Sequence, residues 1–112
     1  MSEPELGRYT VVLLKRPVDA PEFTEAELEV LQRAHLDHLA SLYGQGMLVA
    51  GPLSDQADER LRGICLFRCE IAEAGALMAV DPAVLARRLE TEVFTWHTPP
   101  NVMTFSQPTW LP

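Results

Sequence analysis

The chain has 112 residues, 47% hydrophobic and 22% charged, which is typical of one globular domain and argues against a disordered segment. Its net charge of -7 argues against nucleic acid as a partner, because nucleic acids bind basic surfaces. No Lys/Arg-rich segment suggests a membrane surface, and the apolar run at 11–14 is far too short for a signal peptide or a membrane span. We therefore expect a cytoplasmic protein that binds neither nucleic acid nor membranes.

The first elements predicted along the chain are a strand and a long helix. Residues 8–15 are rich in β-branched and aromatic side chains, which is typical of a strand. A loop with two prolines follows at 16–23. Thr24 and Glu27 then form a capping-box pattern, in which a hydroxyl and a carboxylate satisfy backbone N–H groups at the start of a helix. We expect this helix to continue to about Gln45.

The rest of the sequence predicts three further strands and a second helix. The strands fall at 47–51, 63–70 and 87–97, and the helix at 71–80. After this helix, Asp81 and Pro82 combine a capping carboxylate with a proline suited to a first helical position, so we expect a short helical turn there. We divide the chain into a domain at 1–98 and a proline-rich tail at 99–112.

The order strand, helix, strand, strand, helix, strand predicts an α+β fold of the ferredoxin-like βαββαβ type, with an antiparallel four-stranded sheet and both helices on one face. Three strands contain continuous apolar runs, so the face without helices also requires cover. We expect a homodimer in which a second copy packs on that sheet face. A tail that folds back with Trp110 is the alternative.

A histidine lies among the apolar residues of the long helix. Five residues recur at three- and four-residue steps and share one face: Leu28, Leu31, His35, Leu39 and Leu42. His35 therefore faces the sheet or its edge. Two interpretations stay open, a ring that is half-buried and bonded to backbone carbonyls, or a ring that serves a site.

Asp81 is the candidate partner of His35. As the residue before a proline it has a sufficient structural role as a helix N-cap. In this fold, however, the first helix lies beside the end of the second, which brings the carboxylate near the imidazole. Such a carboxylate fixes the tautomer of the ring, and the pair can act as a general acid or base. We expect a substrate cavity between the first helix and the sheet, with walls from Leu31, Leu39, Phe67 and Phe94.

Metal and nucleophile chemistry have less support. The candidate metal ligands are His35, Asp37, His38 and His97, which form no complete set with metal-binding spacing, so we expect no metal. We expect His38 at the surface, because it lies at the margin of the apolar face. No GxSxG motif is present. Cys65 and Cys69 would lie roughly 13 Å apart along one strand, too far for a disulfide, so we expect buried, reduced thiols.

Several motifs resemble the YciI-like (YCII-related) family. They are His35-Leu36, Leu39, Gly46 and Ala50-Gly51-Pro52, then Asp81-Pro82, and the ending FTWHT at 94–98. The resemblance spans about residues 8–98 and implies a dimeric α+β barrel with an active-site pair that falls on His35 and Asp81. One related enzyme type is a dehydrochlorinase of chlorinated hydroxyhydroquinones. The chain departs from the family in its longer tail and in the length of 16–23.

We expect a small-molecule enzyme that uses no cofactor and works by acid–base chemistry, as a lyase or an isomerase. A lone His–Asp pair suits elimination or isomerisation better than acyl transfer, which requires a nucleophile and an oxyanion hole. The alternative is a dimeric ligand-binding or accessory protein without turnover. The two differ in whether the pair reaches a cavity or is sealed.

Overall fold

The computed structural model describes residues 7–111, so residues 1–6 of the predicted domain and residue 112 of the tail lie outside the described part. Seven elements follow in chain order: β1 (Gly7–Lys15), α1 (Glu25–Leu42), β2 (Met47–Pro52), β3 (Leu61–Phe67), α2 (Ile71–Ala79), α3 (Pro82–Leu85) and β4 (Glu90–Thr98). The strands form one sheet in the order β2-β3-β1-β4, and every neighbouring pair is antiparallel. This confirms the predicted ferredoxin-like α+β fold.

One face of the sheet and the helices form the core. Val12 of β1 pairs with Cys65 of β3 and Val93 of β4, and both Val12 and Cys65 are fully buried. Leu42 of α1 and Met78 of α2 belong to the same buried cluster. Because side chains alternate across a strand, the even-numbered residues of the central strand β1 face the helices.

The long helix begins as predicted and ends earlier. Thr24 Oγ1 accepts a hydrogen bond from the Glu27 N–H, and Glu27 Oε1 accepts one from the Thr24 N–H, which completes the capping box. The helix ends at Leu42, three residues before Gln45. A turn follows, in which the Gln45 N–H donates to the Leu42 carbonyl and Gly46 has a φ of 103°, a backbone conformation that favours glycine.

Two strands also have bounds that differ from the prediction by two residues or more. β3 begins two residues earlier and ends at Phe67 instead of residue 70, since the chain turns there towards α2. β4 begins at Glu90 instead of residue 87, because Arg87 has a φ of 61° and cannot continue a strand. The later start of β4 places Arg87 and Arg88 in the connection between α3 and β4.

The face of the sheet without helices is largely apolar. The odd-numbered residues of β1 lie on it, as do their cross-strand neighbours. Four large side chains there are between 36% and 49% exposed: Val49, Ile64, Phe94 and Trp96. The tail covers part of this face, where Phe105 packs on Tyr9 with ring centres 5.8 Å apart. Within residues 7–111, no helix is both long and apolar enough to span a bilayer.

Candidate functional site

Helix α1 carries His35 on the face that packs towards the sheet. The ring is mostly buried, with 8% of the residue exposed, as its place between Leu31 and Leu39 on one helical face requires. Leu31 and Leu39 are half-buried and pack against the hydrophobic core. The imidazole thus occupies a position that an aliphatic side chain would otherwise fill.

Asp81 lies fully buried at the N-terminus of α3 and bonds in two directions. Its Oδ1 accepts a hydrogen bond of 2.9 Å from the Ala83 N–H, and Pro82 takes the first helical position. Its Oδ2 lies 2.6 Å from Nδ1 of His35. The carboxylate therefore caps a helix and holds the imidazole at once, so both interpretations of Asp81 describe parts of the same arrangement.

The bond to Asp81 determines which nitrogen of His35 is available to a ligand. A carboxylate oxygen can only accept, so Nδ1 carries the proton in the neutral ring and Nε2 has a free lone pair. Nε2 makes no hydrogen bond to any residue in 7–111. In that part of the chain no fully buried polar side-chain atom lacks a partner, so Nε2 is at least partly exposed.

His35 borders a cavity of about 450 Å³ between α1 and the sheet. This volume lies within the range of small-molecule sites. Leu28, Leu31 and Leu39 form its wall on α1, and Ala50 and Cys65 contribute from the strands. The arrangement thus places an imidazole, a group that can accept a proton, next to an apolar wall in a cavity large enough for a small organic molecule.

Two of the four side chains predicted to line the cavity do so. Leu31 and Leu39 line the cavity, whereas Phe67 and Phe94 do not. Phe94 pairs with Val11 on the face without helices and is 44% exposed. Phe67 faces the helices and is fully buried, but it is four residues further along β3 than Gly63, a lining residue, and packs in the core instead.

Three arginines line the cavity, and the sequence prediction missed them. Arg16 follows β1, Arg62 lies in β3, and Arg88 precedes β4. They stand on three distant segments, so no local motif indicates them. The strand pairing brings them together, because Lys15 pairs with Leu61 of β3 and with Glu90 of β4. A sequence analysis that predicted this register would have placed the three arginines at one end of the sheet.

The other histidines do not join the site. The structure corrects the surface position predicted for His38, because the residue is half-buried and its Nε2 donates to the Leu77 carbonyl at 2.8 Å. This bond joins α1 to α2 and satisfies the ring with a backbone group. His97 is exposed on β4. Within residues 7–111 no three side chains among His, Cys, Asp and Glu come together as a metal site.

The two cysteines are free thiols. Cys65 lines the cavity, and its burial, together with the nearby charge of Asp81, raises the pKa of its thiol to about 12. This thiol is therefore protonated at neutral pH and is a poor nucleophile. Burial and the charge of Glu73 also raise the pKa of Cys69, which is half-buried outside the cavity.

No protein-family model matches the chain, and no curated protein matches it. Among solved structures, it is similar to 5-chloro-2-hydroxyhydroquinone dehydrochlorinase (TftG) from Burkholderia phenoliruptrix AC1100, in complex with 2,5-dihydroxybenzoquinone. The TM-score is 0.51 and the identity 18%, over 79% of this chain and 92% of that chain. A similarity at this level of identity shows a shared fold, and it agrees with the ferredoxin-like topology described above.

Proposed function

We propose that the chain is a YciI-like protein and an enzyme that performs acid–base chemistry on a small organic molecule without a cofactor, as a lyase or an isomerase. One observation carries this proposal. Asp81 holds Nδ1 of His35 at 2.6 Å, while Nε2 is open at a cavity of about 450 Å³. The motifs that resemble the YciI-like family include both residues of the pair.

His35 is the proposed catalytic residue. Its neutral ring takes a proton from a carbon or hydroxyl of the substrate at Nε2. In an elimination, the electrons of the broken C–H bond form a double bond as the leaving group departs. In an isomerisation, the imidazolium returns the proton at another atom. Asp81 acts as a positioning residue, since its carboxylate fixes the tautomer and stabilises the imidazolium.

Binding without turnover is the second candidate. The observation that favours it is the structural use of the pair, because Asp81 caps α3 and is itself fully buried. If the pair served only to join α1 to α3, Asp81 would make the same two hydrogen bonds, to His35 and to the Ala83 N–H. The two candidates therefore differ in the fate of the ligand and agree on where it binds.

The experiment that separates them uses hydroxyhydroquinones, including 5-chloro-2-hydroxyhydroquinone, the compound named for TftG. Each is incubated with the protein in D2O, and NMR follows the loss of substrate and the deuterium in the product. We expect turnover in the wild type, none in His35→Gln, and turnover in the control His38→Gln. Compounds that bind without being converted would favour the second candidate. Conversion that persists in His35→Gln would exclude His35 as the catalytic residue.

We also propose a homodimer that forms through the sheet face without helices. Its support is the apolar character of that face, on which Phe94 and Trp96 are each 44% exposed. A soluble monomer rarely exposes a continuous apolar patch of this kind. Light scattering should give about twice the chain mass of 12.5 kDa at micromolar concentration, and a mass of one chain would exclude the dimer.

The domain boundary and the cellular location complete the proposal. We propose that residues 1–98 form the domain and 99–112 a tail attached to its surface, as the contact of Trp110 with Tyr43 at 5.5 Å supports. A cytoplasmic location is supported by the two unpaired thiols, because paired cysteines are characteristic of oxidising compartments. Deletion of 99–112 should leave a folded domain, and fractionation of cells should recover the protein in the cytoplasm.

A further inference from the structure

We propose that the cavity binds an organic anion with an apolar body, and that Arg16 and Arg88 bind its acidic group, with Arg62 adding positive charge at the edge of the sheet. This inference rests on the proposed function, because it names the class of ligand that reaches His35. It is tested by binding alone, so it can fail or hold separately from the chemistry.

The topology gathers the three arginines at one end of the sheet. β1 lies between β3 and β4 and is antiparallel to both, so the end of β1 meets the start of each neighbour. Arg16 follows the last residue of β1, Arg62 is the second residue of β3, and Arg88 stands two residues before β4. The Nε of Arg16 donates to the Arg88 carbonyl at 3.3 Å, which joins two of the segments directly.

The three arginines have no carboxylate partner in the described structure. None of the described residues that line the cavity is Asp or Glu. The ion pairs of Lys and Arg within 7–111 use other cations, namely Arg8, Lys15, Arg60 and Arg87. The nearby carboxylates of Glu90 and Glu92 belong to two of those pairs, with Arg60 and Lys15. A protein with a net charge of -7 thus keeps three arginines at this cavity without a carboxylate that pairs with them.

Such an arrangement is costly unless a ligand offsets it. Arg16 is half-buried, and its burial together with the charges of Arg88 and Arg62 lowers the pKa of its guanidinium below the ordinary value. Like charges at short range destabilise one another, and an anion between them removes that repulsion. Arginine suits this task because its planar group binds carboxylates through two parallel hydrogen bonds.

The apolar lining of the cavity indicates the character of the ligand beyond its acidic group. Leu28, Leu31 and Leu39 present an apolar wall from α1, and Ala50 continues it from β2. A small inorganic anion would leave this wall without contacts. A molecule with an acidic group at one end and a ring or short chain at the other would use both parts, as benzoate does.

Titration with benzoate, followed by amide NMR, tests the proposal on the full-length protein. The matched probe is benzamide, which has the same ring and nearly the same shape without the charge. We expect benzoate to shift the amides of the cavity and to bind at least about tenfold more tightly than benzamide, since hydrogen bonds to charged groups are the stronger ones. Equal affinities of the two probes would overturn the proposal.

Variants locate the binding on the cavity. Arg16→Gln and Arg88→Gln each remove a charge at the cavity, and Arg33→Gln makes the same change on an exposed residue of α1 that does not line the cavity. We expect the first two each to weaken benzoate binding by at least about threefold to tenfold, and Arg33→Gln to leave it unchanged. An equal loss in all three would show a general effect of charge and would contradict a specific site.

Binding and turnover measured together keep the two hypotheses distinguishable. His35→Gln removes the proposed base and none of the arginines, so it should lose turnover and still bind benzoate more tightly than benzamide. Turnover without a preference for anionic ligands would leave the proposed function standing and remove this inference. Binding of benzoate with no turnover of any compound would support this inference and contradict the proposed enzymatic function.

Discussion

The 2.6 Å bond between His35 Nδ1 and Asp81 Oδ2 joins two parts of the chain that are 46 residues apart. Asp81 is fully buried, and its second oxygen is already used to cap α3. The imidazole is thus held by a group that cannot move without disturbing a helix. Rigid placement of this kind is what a proton-transferring ring requires.

Asp81→Asn should exchange the tautomer of His35. The amide oxygen can still accept from the Ala83 N–H, and the amide nitrogen then donates to Nδ1, which loses its proton to Nε2. The free lone pair at the cavity disappears, so turnover should fall by orders of magnitude while the protein stays folded. The ¹⁵N pattern of the ring in long-range NMR spectra at pH 8 distinguishes the tautomers. A proton that remains on Nδ1 would contradict the prediction.

His35→Leu should destabilise the protein by about 2 kcal/mol, because it leaves a buried carboxylate oxygen without its partner. The same substitution in an Asp81→Asn background should cost about 1 kcal/mol less, since an unpaired amide is easier to bury than an unpaired charge. Urea unfolding of the four proteins measures this coupling. Equal losses of stability in both backgrounds would show that the contact between His35 and Asp81 adds no stability of its own.

The features that the sequence predicts well are those encoded in local patterns. The capping box at Thr24 and the step of three and four residues that places His35 among leucines both follow from chemistry within one helix. The contact with Asp81 required one further assumption, the ferredoxin-like topology, which the order of elements supplies. The structure has this topology, and it brings the two side chains together.

The features that could not be predicted depend on register and on backbone groups. Phe94 lies outside the cavity because its pairing with Val11 places it on the opposite face, and one residue of register decides the face. His38 bonds to the backbone carbonyl of Leu77. Every residue has such a carbonyl, so the sequence does not indicate which one a histidine contacts. The cavity arginines stand on three segments that only strand pairing joins.

Phe94→Glu should separate the proposed dimer. The substitution places a charge in the apolar face next to Val11, where a second copy would have to bury it without a partner. Light scattering should then report 12.5 kDa in place of about twice that mass. The control is Val18→Glu, which adds the same charge at a residue 85% exposed and outside the sheet. A dimer that survives Phe94→Glu would exclude this face as the interface.

The thiol of Cys65 should make the protein less stable at alkaline pH. Its pKa in the folded state is about 12, above the ordinary value of 9.0, so the thiol ionises more readily in the unfolded chain. Its contribution to stability is therefore fully present below the ordinary value of 9.0 and is lost as the pH rises towards the folded value.

Between these limits the free energy of unfolding should fall by up to about 1.4 kcal/mol per pH unit through this one group. Cys65→Ala removes the group, so its curve from pH 8 to pH 11 should be flatter than that of the wild type. Cys69→Ala is the matched control, because its thiol is only half-buried and should change the slope less. Urea unfolding at each pH gives the slopes, and parallel curves for wild type and Cys65→Ala would mean that Cys65 ionises as easily in the folded protein as in the unfolded chain.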